Sequence, residues 1–114
     1  MRILLGPEAM LGPGKADLLD LIRNTGSISA AGRQMGMSFK RASSLVDSLN
    51  AAFKSPLVES ARGGPQGGGA RLTEQGAEVL ALYRRMEAAS QAAIRDDVAD
   101  LCSRLAFFQD EDAG

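Results

Sequence analysis

The chain has 114 residues, which predicts one domain or one domain with an extension. It carries 13 basic and 14 acidic side chains, a net charge of −1, with no histidine and one cysteine, Cys102. These counts exclude a histidine-assisted nucleophile, a disulfide framework and a cysteine-based zinc or iron–sulfur site. We therefore predict no catalytic residues, no metal site and no enzyme activity.

The apolar residues set the expected environment and core. No apolar run approaches the roughly 18 residues of a membrane span, and Gly6-Pro7 interrupts the apolar start before a signal peptide could form. We expect a soluble, cytoplasmic protein with no membrane partner. Because aromatic residues make up only 4% of the chain, we expect a core of Leu, Ala, Val, Ile and Met.

The first elements are a short strand and a helix. Residues 2–5 are Arg2 followed by three apolar residues, and the segment ends at Gly6-Pro7, which predicts a short strand. A first helix is predicted over residues 13–24, because Pro13 suits its first position and Gly26 suits the residue after its end. Its apolar residues recur at helical spacing, and they are Leu18, Leu19 and Ile22.

Two further helices follow, joined by a tight turn. Ser27 can cap a short second helix that Gly36 ends, and Ser38 can cap a third helix over residues 39–53. The apolar stripe of the second helix is Ile28, Ala31 and Met35, and that of the third is Ala42, Leu45, Val46, Leu49 and Phe53. The polar face of the third helix holds Lys40, Ser43, Ser44 and Asp47, with Arg41 on a flank. The pattern predicts a helix-turn-helix, with an ordinary helical hairpin that touches no DNA as the alternative.

A glycine-rich segment comes next. Residues 57–60 and 71–73 have the composition of two strands, and the segment between them is rich in glycine and bounded by Arg62 and Arg71. Such a hairpin directly after a helix-turn-helix is typical of a winged helix. A flexible linker is the alternative. A nucleotide-binding loop is disfavoured because no Lys-Ser or Lys-Thr follows the glycines.

The last predicted element is a long helix over residues 74–106, capped by Thr73. Its apolar residues recur at three- and four-residue spacing in two successive registers. The registers are offset by one residue at Ala93-Ile94, which indicates either a break in the helix or a rotation of its apolar face. A helix of this length exceeds what the preceding domain can cover, so we expect a homodimer through it. The alternative is one or two helices folded back on their own domain. The predicted interface residues are Val79, Leu82, Met86, Ala89, Ala93, Val98, Leu101 and Leu105.

Charge is segregated between these parts. Residues 1–73 hold nine basic and five acidic side chains, a net +4, whereas residues 74–114 hold four basic and nine acidic ones, a net −5. The expected organisation is a DNA-binding domain at 1–73, a dimerisation helix at 74–108 and a disordered acidic tail at 109–114. The near-neutral total therefore does not argue against a nucleic-acid partner for the first part.

Several strings resemble known regulators. The segment Gly-Ser-Ile-Ser-Ala-Ala at residues 26–31 resembles the LysR-type winged helix-turn-helix. The strings at residues 37–42, 57–59, 63–70 and 72–76 resemble the N-terminal domain of the ModE family of molybdate-responsive bacterial regulators. Typical of that family are S-[YF]-[KR] at the recognition helix, G-G-x-x-G-G-G-[AG] in the wing and [LV]-T-x-x-G at the long helix. The resemblance covers about residues 11–86. Because nothing here corresponds to the family's C-terminal oxyanion-binding domains, the chain resembles a stand-alone DNA-binding domain.

The predicted fold is mainly α: a winged helix-turn-helix, with a three-helix core and a β-hairpin wing, followed by a long dimerisation helix. The expected function is sequence-specific regulation of transcription, with molybdenum-related genes as the targets that the resemblance implies. A homodimer would read a palindrome-like operator in double-stranded DNA, with half-sites about one helical turn, ~34 Å, or a multiple apart. The resemblance also allows a separate effector-sensing protein as a partner.

The predicted site has three parts. The recognition-helix residues are Ser38, Phe39, Lys40, Arg41, Ser43, Ser44 and Asp47, with core packing as the alternative role for Phe39. Residues of the second helix predicted to contact phosphate are Ser27, Ser29, Arg33 and Gln34. The wing residues are Arg62, Gly63, Gly64, Gln66, Gly67, Gly68 and Arg71, whose backbone amides and guanidinium groups suit phosphate.

Two alternatives concern the function itself. A winged-helix scaffold could recruit a protein partner through the long helix, without sequence-specific DNA binding. We predict no cofactor, although the glycine loop or a dimer crevice lined by Ser and Arg could hold an oxyanion such as molybdate.

Overall fold

The structure is a computed structural model that describes residues 2–6, 9–61 and 69–106. Its elements in chain order are β1 (Ile3–Gly6), β2 (Ala9–Leu11), α1 (Pro13–Thr25), α2 (Ile28–Gln34), α3 (Phe39–Ala52), β3 (Val58–Ala61), β4 (Gly69–Leu72) and α4 (Glu74–Ser103). Two compact units divide the chain, Met1–Tyr83 and Arg84–Gly114. The first unit therefore includes the beginning of α4, whereas our predicted domain boundary lies at Thr73.

An antiparallel hairpin opens the chain. β1 pairs with β2, with Ile3 opposite Leu11 and Leu4 opposite Met10, and a β-bulge interrupts the register between Leu4 and Gly6. The sequence predicts the first of these strands but not the second. A strand of three residues is too short to show an alternating pattern, so only its pairing reveals it.

The three helices of the first unit begin and end where the capping residues predict. Pro13 occupies the first turn of α1, whose C-terminal Gly26 N–H donates to the Ile22 carbonyl at 2.8 Å. The Ser27 hydroxyl accepts from the Ala30 amide and caps α2. Ser38 accepts from the Arg41 amide and caps α3. Each cap satisfies a backbone N–H that the helix itself leaves without a partner.

A tight turn joins α2 to α3. The Gly36 N–H donates to the Arg33 carbonyl at 3.0 Å, and the Met37 N–H donates to the Gly32 carbonyl at 2.9 Å. Gly36 has a φ of 71°, in the left-handed region where a side chain is strained. This turn joins α2 to α3, and the two helices contact each other, which is the predicted helix-turn-helix.

The core draws on every helix and on β2, β3 and β4. The buried apolar residues are Leu11, Ala16, Leu18, Leu19, Ile22, Ala31, Ala42, Val46, Leu49, Leu57, Val58, Ala70, Leu80 and Tyr83. The expectation of an aliphatic and methionine core is wrong in one respect. Tyr83 is the largest fully buried side chain, whereas Met35 and Met37 are only partly buried. A single aromatic residue can fill a central site even when aromatics are scarce in the composition.

The Asn50 side chain joins α3 to the start of β3. Its Oδ1 accepts from the amides of Leu57 and Val58 at 2.9 and 3.1 Å, and its Nδ2 donates to the Val58 carbonyl at 3.1 Å. Leu57 and Val58 are buried, so these backbone groups have little access to water. Asn50 therefore fixes where the chain enters the hairpin of β3 and β4.

β3 and β4 pair antiparallel, with Val58 opposite Leu72 and Ala61 opposite Gly69. The Ala70 amide donates to the Gly26 carbonyl at 2.9 Å, which attaches β4 to the turn between α1 and α2. The sequence predicts the returning strand over residues 71–73. It begins earlier, at Gly69, and Thr73 is the residue that caps α4. The hairpin is therefore fixed through β4 to the turn between α1 and α2, directly before the helix-turn-helix.

α4 is one helix, with no break at Ala93-Ile94. The two apolar registers therefore follow from a rotation of the apolar face, by about 100° for the one-residue step. Within the described residues, no helix combines the length and the hydropathy that a membrane crossing requires.

Candidate nucleic-acid interface

The exposed face at the start of α3 is the centre of the candidate site. Lys40, Arg41, Ser44 and Asp47 are exposed on it, and Ser43 is half-buried on one flank. The buried face of the same helix holds Ala42, Val46 and Leu49, which fix its rotation. Because residues three and four apart share a helix face, the core positions dictate that Lys40 and Ser44 point outward together.

We call the depression in this face the recognition groove. It has a volume of about 310 Å³ and is lined by Ser38, Lys40, Arg41, Ser44 and Leu45. The first turn of α3 contains no acidic residue. Two cations, small hydroxyl side chains and the positive end of a helix dipole therefore lie together, a combination that attracts the acceptor groups of nucleic acid.

Phe39 lies on the surface and not in the core. Its side chain is 58% exposed. The position of Phe39 at the first residue of α3 places it beside the recognition groove. This decides between the two roles considered for Phe39 in favour of the surface.

The predicted residues of α2 divide into capping and exposed groups. Ser27 uses its hydroxyl oxygen as the α2 cap, and Ser29 is half-buried. Arg33 and Gln34 are exposed at the end of α2, immediately before the turn that leads to α3. Both side chains are therefore accessible to a partner in solution.

The wing is described only at its two strands. Arg62, Gly63, Gly64, Gln66, Gly67 and Gly68 lie outside the described residues. Arg71 lies on β4 opposite Glu59, and its Nε donates to Glu59 Oε1 at 2.8 Å. Both side chains are largely exposed, so this ion pair is screened by water and is worth little to stability. Arg71 therefore keeps the exposure that a phosphate contact needs.

The predicted interface residues are mostly exposed; seven of them lie on α4, and Leu105 lies just beyond its end at Ser103. The exposed fractions are 46% for Leu82, 42% for Met86, 45% for Val98, 64% for Leu101 and 41% for Leu105. Ala89 and Ala93 are exposed as well. Val79 differs, because it is half-buried and packs against the core of the first unit. Leu80 and Tyr83 are the side chains of α4 that belong to this core, and the sequence pattern does not single them out.

A second depression adjoins the recognition groove, and we call it the edge groove. It has a volume of about 290 Å³ and is lined by Arg2, Gly12, Pro13, Gly14, Lys15, Met37, Arg41 and Leu45. The sequence does not connect Arg2 or Lys15 with the site, because both lie far from α3 along the chain. Ser48, which is exposed on α3 one turn beyond Ser44, was not predicted either. A helical projection of residues 39–52 would have found Ser48.

The described residues contain no group of three acidic or cysteine side chains placed to hold a metal ion. Cys102 is half-buried on α4. The exposed face of α3 offers hydrogen bonding and charge through its Lys, Arg and Ser side chains.

Comparison with known sequences agrees with the geometry. The family described as bacterial regulatory helix-turn-helix protein, lysR family, matches residues 16–77, which run from α1 to the first turn of α4. That span is more than half of the chain and contains the helix-turn-helix and both wing strands. The chain belongs to the lysR family of bacterial regulatory helix-turn-helix proteins.

Among curated proteins, the chain is similar to several whose names concern molybdenum. It is 44% identical over 80 residues to the molybdenum-pterin-binding protein MopB of Rhodobacter capsulatus, covering 70% of this chain and 30% of that protein. It is 38% identical to the transcriptional regulator ModE of Yersinia pestis, covering 93% of this chain and 41% of that protein. The chain therefore spans 30% to 41% of the length of these two relatives.

Solved structures share the fold. The DNA-binding domain of CbnR, solved in a complex with DNA, matches with a TM-score of 0.61 at 21% identity, covering 79% of this chain and 99% of that one. VV2_1132, a LysR family transcriptional regulator, matches with a TM-score of 0.60 at 17% identity, covering 83% of this chain and 31% of that one. At these identities the likeness establishes the winged helix-turn-helix fold.

Proposed function

We propose that the chain is a sequence-specific, double-stranded-DNA-binding regulator of transcription that inserts α3 into the major groove. The observation that carries this proposal is the exposed start of α3, where Lys40, Arg41 and Ser44 surround the recognition groove. An α-helix fits the major groove, and the first residues of a recognition helix reach the base edges. Membership of the lysR family and similarity to proteins named ModE support the same function.

The side chains of α3 suit different parts of the duplex. Lys40 and Arg41 can donate to the O6 and N7 atoms of guanine, as basic side chains commonly do in the major groove. Ser38 and Ser44 are short enough to let the helix approach closely. Phe39 is exposed beside them and offers an apolar surface to a thymine methyl group. Asp47, one helical turn from Ser43 and Ser44, can accept from a cytosine amino group or orient a basic neighbour.

Phosphate contacts position the helix in this proposal. Ser29, Arg33 and Gln34 on α2 would contact one strand, and Arg33, Gln34 and Arg71 are exposed on the surface as such contacts require. The wing residues between β3 and β4 would contact phosphate or the minor groove. The attachment of β4 to Gly26 supports this arrangement, because it fixes the base of the wing beside α2. Such contacts fix register and orientation, while α3 reads sequence.

The proposed targets are molybdenum-related genes, because the similar proteins carry names such as molybdenum transport protein ModE of Azotobacter vinelandii. The proposal assigns no catalysis and no cofactor to these residues. Control by molybdenum would then involve a separate effector-sensing protein or a further part of the regulator. A duplex DNA partner requires a cytoplasmic location, which is part of the proposal.

Selection of bound sequences from random duplex DNA tests this function. We expect enrichment of a palindrome-like sequence whose half-sites lie about 34 Å, or a multiple, apart. Failure to enrich any sequence, together with retained capture of a protein partner by α4, would favour the scaffold alternative. Enrichment of a single half-site would support DNA reading and contradict the dimer.

A homodimer through α4 is the second part of the proposal. Among the residues that the structure describes beyond Tyr83, five large apolar side chains are exposed, and they are Met86, Ile94, Val98, Leu101 and Leu105. Exposing this much apolar surface to water is unfavourable in free energy. A second copy of the same helix can bury it in a symmetric dimer, without any other partner. The sequence pattern of three- and four-residue spacing is also that of helices that pair.

Substitution Leu101→Glu should therefore break the dimer. Burying a leucine is worth about 1.5–3 kcal/mol, and a symmetric dimer buries two copies. The dimer dissociation constant should rise at least about 100-fold, as measured by sedimentation equilibrium. The matched control is Ala99→Glu, because Ala99 is exposed on the opposite side of α4 and gains the same charge. Equal sedimentation of the two variants, or a wild-type monomer, would contradict the proposed interface.

A further inference from the structure

The edge groove adjoins the recognition groove. Arg41 and Leu45 line both grooves, so the two share a wall on α3. Arg41 belongs to one flank of the exposed α3 face, and Arg2 and Lys15 lie beyond it. The basic surface around α3 is therefore wider than the helix itself.

The lining of the edge groove is basic. Arg2 and Arg41 are exposed and Lys15 is half-buried. Among the described residues that line the groove, none is a carboxylate. Gly12, Pro13 and Gly14 also line the groove, and because they carry small or no side chains, they leave room for a bulky anion beside the cations.

The position of the groove relative to α3 determines which anion it would meet. An α-helix with its side chains is about 10–12 Å across, and the major groove is about 12 Å wide. A helix that reads bases therefore fills the groove, and side chains on its flank face the sugar–phosphate backbone. Arg41 holds that flank, so Lys15 and Arg2 would lie outside the base-reading surface and against the bordering strand.

We propose that the edge groove binds backbone phosphates of the DNA strand that borders the occupied major groove, through Arg2 and Lys15. The inference rests on the proposed function, since it places α3 in the major groove. It adds a contact that neither the helix-turn-helix nor the wing provides. It also gives the N-terminal segment before α1 a role in binding affinity, whereas sequence preference stays with α3.

The salt dependence of DNA binding tests this contact. The full chain would be titrated with a random-sequence duplex of about three helical turns (~100 Å), as wild type and as the variants Arg2→Gln and Lys15→Gln. Removing one phosphate interaction should lower the slope of log affinity against log salt by about 0.9 for every bound subunit. The ratio of wild-type to variant affinity should accordingly fall about 3.5-fold per subunit between about 50 and 200 mM salt.

The matched control is Lys54→Gln, since Lys54 is exposed after α3 and lines neither groove. We expect its slope to equal that of the wild type. Unchanged slopes in both edge-groove variants, with normal binding by the wild type, would overturn this inference and leave the proposed function standing. If Lys54→Gln lowered the slope as much as the edge-groove variants, the decrease would reflect the loss of any positive charge, and the inference would be wrong.

Two other results are also decisive. A wild type that binds no duplex even at low salt would overturn the inference and the proposed function together. A small-anion site would show a different pattern. If sodium molybdate or sulfate raised the melting temperature of the wild type but not of Lys15→Gln, while DNA binding was equal in both, the groove would bind a free oxyanion and the inference would be wrong.

Discussion

Replacing Gly76 with alanine should unfold a large fraction of the protein. Gly76 lies in the first turn of α4 and is buried against Leu57, the residue before β3. A Cβ atom built on it would lie 2.9 Å from the Leu57 carbonyl carbon and closer still to the carbonyl oxygen, backbone atoms that cannot rotate away. The same carbonyl accepts from the Thr73 amide at 2.9 Å, so moving it would also break a hydrogen bond.

Further contacts hold α4 in this position. The Thr73 hydroxyl donates to the Pro56 carbonyl at 2.6 Å and accepts from the Gly76 amide at 2.9 Å. The chain cannot relieve the clash without breaking this junction. We expect Gly76→Ala to lower the free energy of unfolding by at least about 4 kcal/mol, even though alanine favours a helix over glycine by about 1 kcal/mol. Urea unfolding followed by circular dichroism measures the difference.

Gly14→Ala is the matched control. Gly14 is also in the first turn of a helix, and a Cβ on it would meet nothing within 4 Å. The same chemical change should therefore raise stability by about 0.4–1 kcal/mol, through the lower entropy of the unfolded chain. Similar stabilities for Gly76→Ala and Gly14→Ala would show that α4 does not lie against Leu57 as described.

The helices could be predicted because their signals are local. Ser27, Ser38 and Thr73 each precede a helix and accept from a backbone amide three residues later. Gly36 has the positive φ that ends the α2 turn. Side-chain capping and glycine geometry act within a few residues, so the sequence alone specifies them.

Contacts between distant segments could not be predicted in the same way. Asn50 on α3 reaches the backbone of residues 57 and 58, but in sequence it is one polar residue at the end of an amphipathic helix. The register of α4 is a similar case. From the apolar pattern alone, Val79 and Leu82 are as good candidates for burial as Leu80 and Tyr83. Leu80 and Tyr83 are the pair that is fully buried, because they pack against the rest of the first unit.

In the candidate site, too, local features could be predicted and contacts between distant segments could not. The face of α3 could be predicted, because its apolar stripe fixes which side chains point outward, and Lys40, Ser44 and Asp47 are exposed as expected. The edge groove could not, since residue 2, residue 15 and residue 41 meet only after β1, α1 and α3 have packed. The sequence gives the net charge of +4 for residues 1–73, but it does not show which of those side chains lie close together in the fold.

Removing both cations of the recognition groove should abolish sequence-specific DNA binding. Lys40 and Arg41 are exposed, and among the residues that the structure describes neither forms a side-chain ion pair or hydrogen bond. A basic side chain that reads a guanine is worth about 1–3 kcal/mol. The double substitution Lys40→Ala and Arg41→Ala should cost at least about 2 kcal/mol per subunit, or about 30-fold in affinity. Because both side chains are exposed, stability should be unaffected.

The matched control removes two charges elsewhere. Lys54→Ala with Arg95→Ala changes the net charge by the same amount, and both residues are exposed and line neither groove. This control should keep the preference for the selected sequence. Any weakening that it shows should be equal on all sequences, since it would arise from long-range attraction alone.

The most direct measurement is a fluorescence anisotropy titration of the selected operator and of a scrambled duplex with the wild type, the recognition-groove double variant and the control, at one salt concentration. We expect the double variant to bind the operator no more tightly than the scrambled duplex, while the wild type and the control still distinguish the two. A double variant that retained the wild-type preference for the operator would show that α3 does not read the sequence.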